Sequence, residues 1–292
     1  MMKCGVVFPQ TEIGTDVAAI RSYAEAVDAL GYDYLLTFDH VVGANPERPG
    51  PWQAGPYNYE SMFHEPFVLF GYLSSVTSGL GFATGILILP QRQTVLVAKQ
   101  AAEVDLLCGG RLRLGIGVGW NPAEYEALGQ DFHRRGHRQA EQVEVLRQLW
   151  TRRLVDYTGE YHQLPDVGIY PLPRQRPIPI WFGGGSDAVL RRMARLGDGW
   201  MPNTASPEEL AERMTQLRGY LRDAGRDPRD FGLDVRIDVG RVGEEAWGQR
   251  IERLQALGVT HICINTMNRG YSPEAHIDAI GRFKAVWDTR VG

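Results

Sequence analysis

Four short stretches of the chain gather residues able to do chemistry. The first is YLLTFDH, Tyr34 to His40, an apolar run that ends on a carboxylate and an imidazole. Imidazole titrates near neutral pH, so His40 is able to give or take a proton. Adjacent residues at a strand end point in different directions, so Asp39 need not touch the ring. The other reading has Asp39 capping the loop and His40 bonding a backbone carbonyl.

The second stretch is GIGVGW, Gly115 to Trp120, followed by Asn121 and Glu124 as polar groups. It has GxGxG spacing but not GxGxxG, and no helix is expected at once, so it is weak as a dinucleotide motif. Lacking Cβ atoms, Gly117 and Gly119 let a flat ring lie on the backbone; a tight interior that needs small residues explains them as well. Gly85 invites the same two readings. The third stretch is WFGGGSDAVL, Trp181 to Leu190. Gly183, Gly184 and Gly185 lead into a helix opened by Ser186 and Asp187, and successive N–H groups at a helix start bind an anion without lysine. Asp187 could instead cap the helix itself and repel an anion, although a plain turn needs one glycine, not three. The fourth is DFHRRGHRQ, with Arg134, Arg135 and Arg138. It reads either as a positive rim for an anionic cofactor tail or substrate, or as a solvated helix start. No GxSxG elbow occurs, and His133 and His137 have no evident acidic partner, so no metal site is expected.

These stretches matter only if the fold brings them together. Short apolar runs alternate with helical patterns: Cys4 to Phe8, Tyr34 to Phe38, Leu80 to Ile88, Arg111 to Gly119, Ile178 to Phe182, Asp198 to Met201, Phe231 to Asp238 and Val259 to Asn265. A hairpin is expected over Val155 to Leu164. About eight βα units in one chain predict a single α/β domain over residues 1–292, a (β/α)8 TIM barrel with insertion loops. Runs buried on both faces suit its parallel strands. An open doubly wound sheet would want a glycine-rich turn after the first strand, where FPQTEIG stands. In a barrel, strand ends face the active site, which is where Asp39, Trp120 and Gly183 fall. The loop from Val42 to Tyr59 is long enough to be a lid or binding loop.

Composition excludes several classes. A net charge of −4 with no long basic run argues against nucleic acid or an anionic membrane as partner. Three scattered cysteines suit a reducing, cytoplasmic setting. No apolar run approaches a bilayer span, and the first residues are too short for a signal core.

Taken together, FPQ, TFDHV, GFATGILILPQR, RLRLGIGVGWNPAEYEALG, PIPIWFGGGS and ARLGDGWMP resemble the luciferase-like monooxygenase superfamily, over nearly the whole chain. GVGWNPAEYEALG followed by DFHRRG resembles its deazaflavin-associated branch more than the luciferase or alkanesulfonate monooxygenase branches. The resemblance implies a (β/α)8 enzyme that uses coenzyme F420 (8-hydroxy-5-deazaflavin) or FMN. It implies Asp39 and His40 against the ring system as catalytic residues, with His40 as proton donor or acceptor. Gly85 and Ile86 would form a bulged strand with a non-prolyl cis peptide behind the ring. Gly117, Gly119 and Asn121 would approach the cofactor's side chain, with Glu124 nearby. Gly183, Gly184 and Gly185 would hold its phosphate, unlike the common barrel site after strands seven and eight. Trp52, Tyr57 and Trp120 would wall a small-molecule substrate. With F420 the reaction is hydride transfer at C5; with FMN it is O₂ activation and monooxygenation. A non-catalytic flavin-binding barrel is a third reading, which the presence of both Asp39 and His40 argues against. A homodimer is an expectation by analogy alone.

Overall fold

The computed structural model describes residues 2–48, 55–203 and 206–291. In chain order the strands are β1 (Lys3–Val7), β2 (Tyr34–Thr37), β3 (Gly81–Thr84), β4 (Leu87–Ile88), β5 (Leu112–Gly117), β6 (Val155–Thr158), β7 (Gln163–Val167), β8 (Ile180–Gly183), β9 (Gly199–Met201), β10 (Gly232–Asp238) and β11 (His261–Asn265). The helices are α1 (Val17–Ala29), α2 (Pro66–Ser74), α3 (Thr94–Leu107), α4 (Pro122–Ala127), α5 (Arg135–Thr151), α6 (Asp187–Leu196), α7 (Pro207–Asp223), α8 (Trp247–Ala256) and α9 (Pro273–Val291). Strands β1, β2, β3, β5, β8, β9, β10 and β11 are joined in parallel, and β1 also pairs β11, so the sheet closes on itself. This is the expected (β/α)8 barrel. The β6–β7 hairpin lies outside it and is antiparallel.

Local chemistry starts the helices where the sequence suggests. Asp16 caps α1 by accepting from the N–H of Ala18 at 3.0 Å. Ser206 caps α7, with Pro207 at its first position. On α1, Ile20, Tyr23, Ala24 and Val27 are buried at helical spacing. Each large apolar member of such a stripe contributes roughly 1.5–3 kcal/mol by leaving water.

Two expectations need correction. The run Leu80 to Ile88 is not one strand. The peptide between Gly85 and Ile86 is cis, and the register against β5 slips by one residue across it: Phe82 faces Leu112, but Leu87 faces Ile116. A helix does follow the Gly115–Trp120 stretch closely. Asn121 caps α4 and Pro122 opens it, a start signal present in the sequence.

The lower barrel interior is filled by a charged layer. The Arg113 guanidinium carbon sits 4.3 Å from the ring centres of both Tyr34 and Trp181. Its Nη2 donates to Asp234 at 2.5 Å, and the Tyr34 hydroxyl donates to the other Asp234 oxygen at 2.8 Å. Glycines make room: a Cβ on Gly5 would lie 2.1 Å from the Tyr34 ring, and one on Gly232 2.1 Å from Trp181. The ion pair is held by the Tyr34 hydroxyl and by the flanking rings, while Arg113 Nε is buried without a partner among the described residues. It closes the barrel below and leaves a cavity above.

Candidate functional site

That cavity, about 410 Å³, opens among the C-terminal strand ends. His40, Tyr57, Gly85, Ile86, Gly117, Gly119, Trp120, Gly183, Gly184 and Gly185 all line it. Residues as distant in the chain as Phe38 and Arg236 thus meet at one place, as the barrel topology requires. A smaller hollow of about 60 Å³ continues inward past Gly85, Ile86 and Gly184 to Asp234 and Cys263. Trp52 lies outside the described residues.

His40 is held from behind. Its Nδ1 lies 3.2 Å from Oε2 of Glu124, which is fully buried. The other Glu124 oxygen accepts from the N–H of Val41 at 2.6 Å. Burial alone would raise the Glu124 carboxyl, but the His40 imidazole and the Val41 N–H outweigh it and hold it below the usual range. The pairing makes Nδ1 the protonated nitrogen. Nε2 has no protein partner among the described residues. Phe63, Tyr57 and Trp120 surround the ring, with centres 4.8, 5.3 and 6.0 Å away.

Asp39 turns elsewhere. Its Oδ1 accepts from Arg92 Nη2 at 2.7 Å, and its Oδ2 accepts from Arg92 Nε at 3.2 Å and from the Ile88 N–H at 2.9 Å. Arg92 also donates to Glu65 at 2.8 Å. The carboxylate touches the cavity wall, yet both its oxygens are engaged. The resemblance implies Asp39 against a ring beside His40; here it lines the cavity with both oxygens held by Arg92 and Ile88.

Two other expected cavity residues stand behind the wall. Asn121 is buried and spends its oxygen on the Ala123 N–H at 3.1 Å, capping α4. Glu124 faces His40, not the open space. Neither lines the cavity.

The glycines divide by what their missing side chains face. A Cβ on Gly117 or Gly183 would sit 2.6 Å from Ile86, and one on Gly85 would sit 2.3 Å from Leu36. Packing around the cis peptide therefore accounts for those three. Gly119 has a φ of +64°, and its Cβ would sit 2.8 Å from Ile88. Gly184 and Gly185 differ, with nothing closer than 3.6 and 4.0 Å. Space is left above them at the start of α6, where Ser186 makes no side-chain cap. Asp187 does not cap the helix either. It pairs with Arg191 at 2.8 Å and accepts from Gln216 and Tyr220 on α7. The objection that Asp187 would repel an anion is thus weakened, since its charge is directed outward.

The sequence reading missed Phe63, Asn203 and Arg236. Asn203 and Arg236 line both hollows. Arg236 donates through Nε to Asp238 at 3.2 Å, and its terminal NH₂ groups meet no acceptor among the described residues. A signal existed for it: Asp234, Arg236 and Asp238 alternate along β10, which puts three charges on one face of a barrel strand. Phe63 stands in a loop with no periodic signal. Among the described residues, no group of three or more His, Cys, Asp or Glu side chains is placed to hold a metal ion.

The luciferase-like monooxygenase family profile matches residues 2–286. The chain belongs to that family. The uncharacterized protein Rv0940c of Mycobacterium tuberculosis (strain ATCC 25618 / H37Rv) is 37% identical over 263 residues, 88% of each chain. F420-dependent glucose-6-phosphate dehydrogenase of Segniliparus rotundus is 30% identical over 225 residues, 74% of this chain and 62% of that one. The solved F420-dependent secondary alcohol dehydrogenase shares the fold, with a TM-score of 0.77 at 19% identity over 98% of both chains. As a member of the luciferase-like family, the chain is an oxidoreductase or monooxygenase.

Proposed function

We propose that this luciferase-like barrel is an F420-dependent oxidoreductase that passes hydride between the deazaflavin and a small organic substrate. One observation carries the reading: His40, clamped through Nδ1 by Glu124, has an Nε2 without a partner among the described residues and lines the same cavity as the open Gly184–Gly185 cradle. The similarity to an F420-dependent dehydrogenase at 30% identity supports a deazaflavin, beside the similarity at 29% to a pyrimidine monooxygenase, so the choice over FMN rests on the site.

The residues fit such a group. Gly184 and Gly185 leave room for a phosphate at the start of α6, where the helix dipole favours negative charge. Gly85 and Ile86, joined by the cis peptide, offer a flat surface to the back of a ring. When bound, the deazaflavin supplies a carbon that accepts or donates hydride. His40 moves the accompanying proton at Nε2, while Glu124 fixes its tautomer and balances its charge. Asp39, tied to Arg92 and Ile88, acts as a positioning residue for the loop that carries His40. Tyr57, Trp120 and Phe63 exclude water from the reacting face. Arg236 and Asn203 face the substrate from the opposite strand ends.

We also propose that two copies pair through the outward faces of α2 and α3, where Val68, Leu96, Leu106 and Leu107 are exposed on adjacent helices. We place the enzyme in the cytoplasm, where the buried, unpaired Cys4, Cys108 and Cys263 stay reduced. Among the described residues no helix is long and apolar enough to cross a membrane. The test is reconstitution: F420 uptake and substrate-driven bleaching of its absorbance support hydride transfer, whereas tight FMN uptake with O₂ consumption supports monooxygenation instead.

A further inference from the structure

The start of α5 presents an electrostatic imbalance that the site above does not explain. Arg135, Arg138 and Arg192 are half-buried, and none has a carboxylate partner within ion-pair distance among the described residues. Arg135 donates to the Phe132 carbonyl at 2.5 Å and lies 3.7 Å over its ring. Arg192 reaches only Gln139 Oε1, at 3.3 Å. The Nε groups of Arg135 and Arg138 are buried without a partner, as are Gln139 Nε2 and the Tyr161 hydroxyl. Arg134 is different, since it pairs with Glu160 at 2.5 Å. The nearby acid, Glu141, is already taken by His162 at 2.7 Å and by the Glu160 and Tyr161 N–H groups.

Like charges gathered at a helix start oppose its dipole, and half-buried donors without acceptors are costly. Burial pushes the Arg138 guanidinium down, and burial followed by Arg195 and Arg135 does the same for Arg192. The close approach is built in. A Cβ on Gly136 would lie 2.4 Å from Arg192 Nη2, so the glycine leaves that guanidinium room against the first turn of α5.

The cluster adjoins the cavity. Arg192 is one helical turn beyond Val189, a cavity-lining residue on α6 directly after the glycine cradle. The Phe132 ring under Arg135 lies 5.4 Å from that of Tyr125, whose hydroxyl donates to the Val118 carbonyl at 2.7 Å, and Val118 lines the cavity. We infer that Arg135, Arg138 and Arg192 form a second anion site, next to the Gly184–Gly185 cradle, for carboxylates or phosphate carried beyond a cofactor's first phosphate. Resting on the function proposed above, this deepens it: FMN ends at its phosphate, whereas F420 continues past its phosphodiester into carboxylates.

The experiment is a fluorescence titration of the full chain and of Arg138→Gln/Arg192→Gln with intact F420, with its tail-free deazaflavin chromophore and with FMN. The double variant is expected to bind intact F420 on the order of tenfold or more weakly. Its affinity for the chromophore should stay within a few fold of wild type, and Arg138→Lys/Arg192→Lys should recover most of the loss. Unchanged affinity for intact F420, or equal weakening for F420 and chromophore, overturns the inference. If the double variant does not fold, the wild-type salt response decides: F420 binding should weaken steeply with salt while chromophore binding does not, and parallel responses overturn it. If wild type binds FMN but no deazaflavin, the cofactor reading fails by itself. Inorganic pyrophosphate then tests the arginines alone: a rise in Tm in wild type that the Gln variant loses supports the anion site, and no rise overturns it.

Discussion

Glu124 and His40 are 84 residues apart in the chain, yet the Glu124 carboxylate sits 3.2 Å from the imidazole Nδ1 and is closed off from water. The neighbouring Asp39, beside His40 in sequence, bonds Arg92 and Ile88 instead. The imidazole is therefore oriented from α4, which follows the fourth barrel strand, not by its own neighbour.

Glu124→Gln keeps the shape and removes the charge. Turnover is expected to fall on the order of tenfold to hundredfold, the usual cost of losing the partner that orients a working histidine. Cofactor affinity should change little, which separates orientation from binding. A variant with full turnover would remove Glu124 from the mechanism.

The same pair has a pH signature. A carboxyl whose folded value is lowered adds stability that is full above its ordinary value of 4.5 and is lost as pH falls through the lowered folded value. The stability difference between wild type and Glu124→Gln should thus be constant above that point and shrink below it. Urea melts across acidic pH measure this; a difference that grows on acidification contradicts it.

His40→Ala is expected to slow turnover about 10²–10⁴-fold while leaving cofactor affinity within a few fold, because general acid–base help contributes that much. Steady-state rates and a binding titration on one preparation separate the two. Equal loss of both would make His40 a binding residue only.

Gly185→Asp places a carboxylate at the start of α6 where a Cβ meets only Trp200, at 4.0 Å. Folding should survive, and cofactor affinity should drop on the order of tenfold or more through like-charge repulsion. Wild-type affinity in a folded variant would put the phosphate elsewhere.

Leu96→Glu tests the pairing of α2 and α3 faces. The variant should sediment as a folded monomer where wild type sediments as a dimer; a wild type that is monomeric at every concentration contradicts the proposal.

The barrel was legible because its strands are buried on both faces and read as unbroken apolar runs, and because Asp16, Ser206 and Pro207 mark helix starts in the sequence. The run of three glycines before α6 was legible, but not that Gly183 packs on Ile86 while Gly184 and Gly185 face open space. Other features were not. Glu124 stands out in the sequence as a polar group near the site, but only the barrel's closure carries it behind His40. The clamp on Asp39 depends on Arg92, which follows a cis peptide that breaks strand periodicity. Of the glycines near the cavity, sequence does not tell which face Ile86 and which face open space; that depends on side chains arriving from other strands.

The most direct test of the proposed chemistry is a competition titration of the purified chain with F420 and FMN, followed by fluorescence. F420 should bind at least tenfold more tightly than FMN and should be displaced from the Gly185→Asp variant at lower competitor concentrations. Tight FMN binding with F420 excluded, or no binding of either, would contradict an F420-dependent hydride-transfer site between His40 and the glycine cradle.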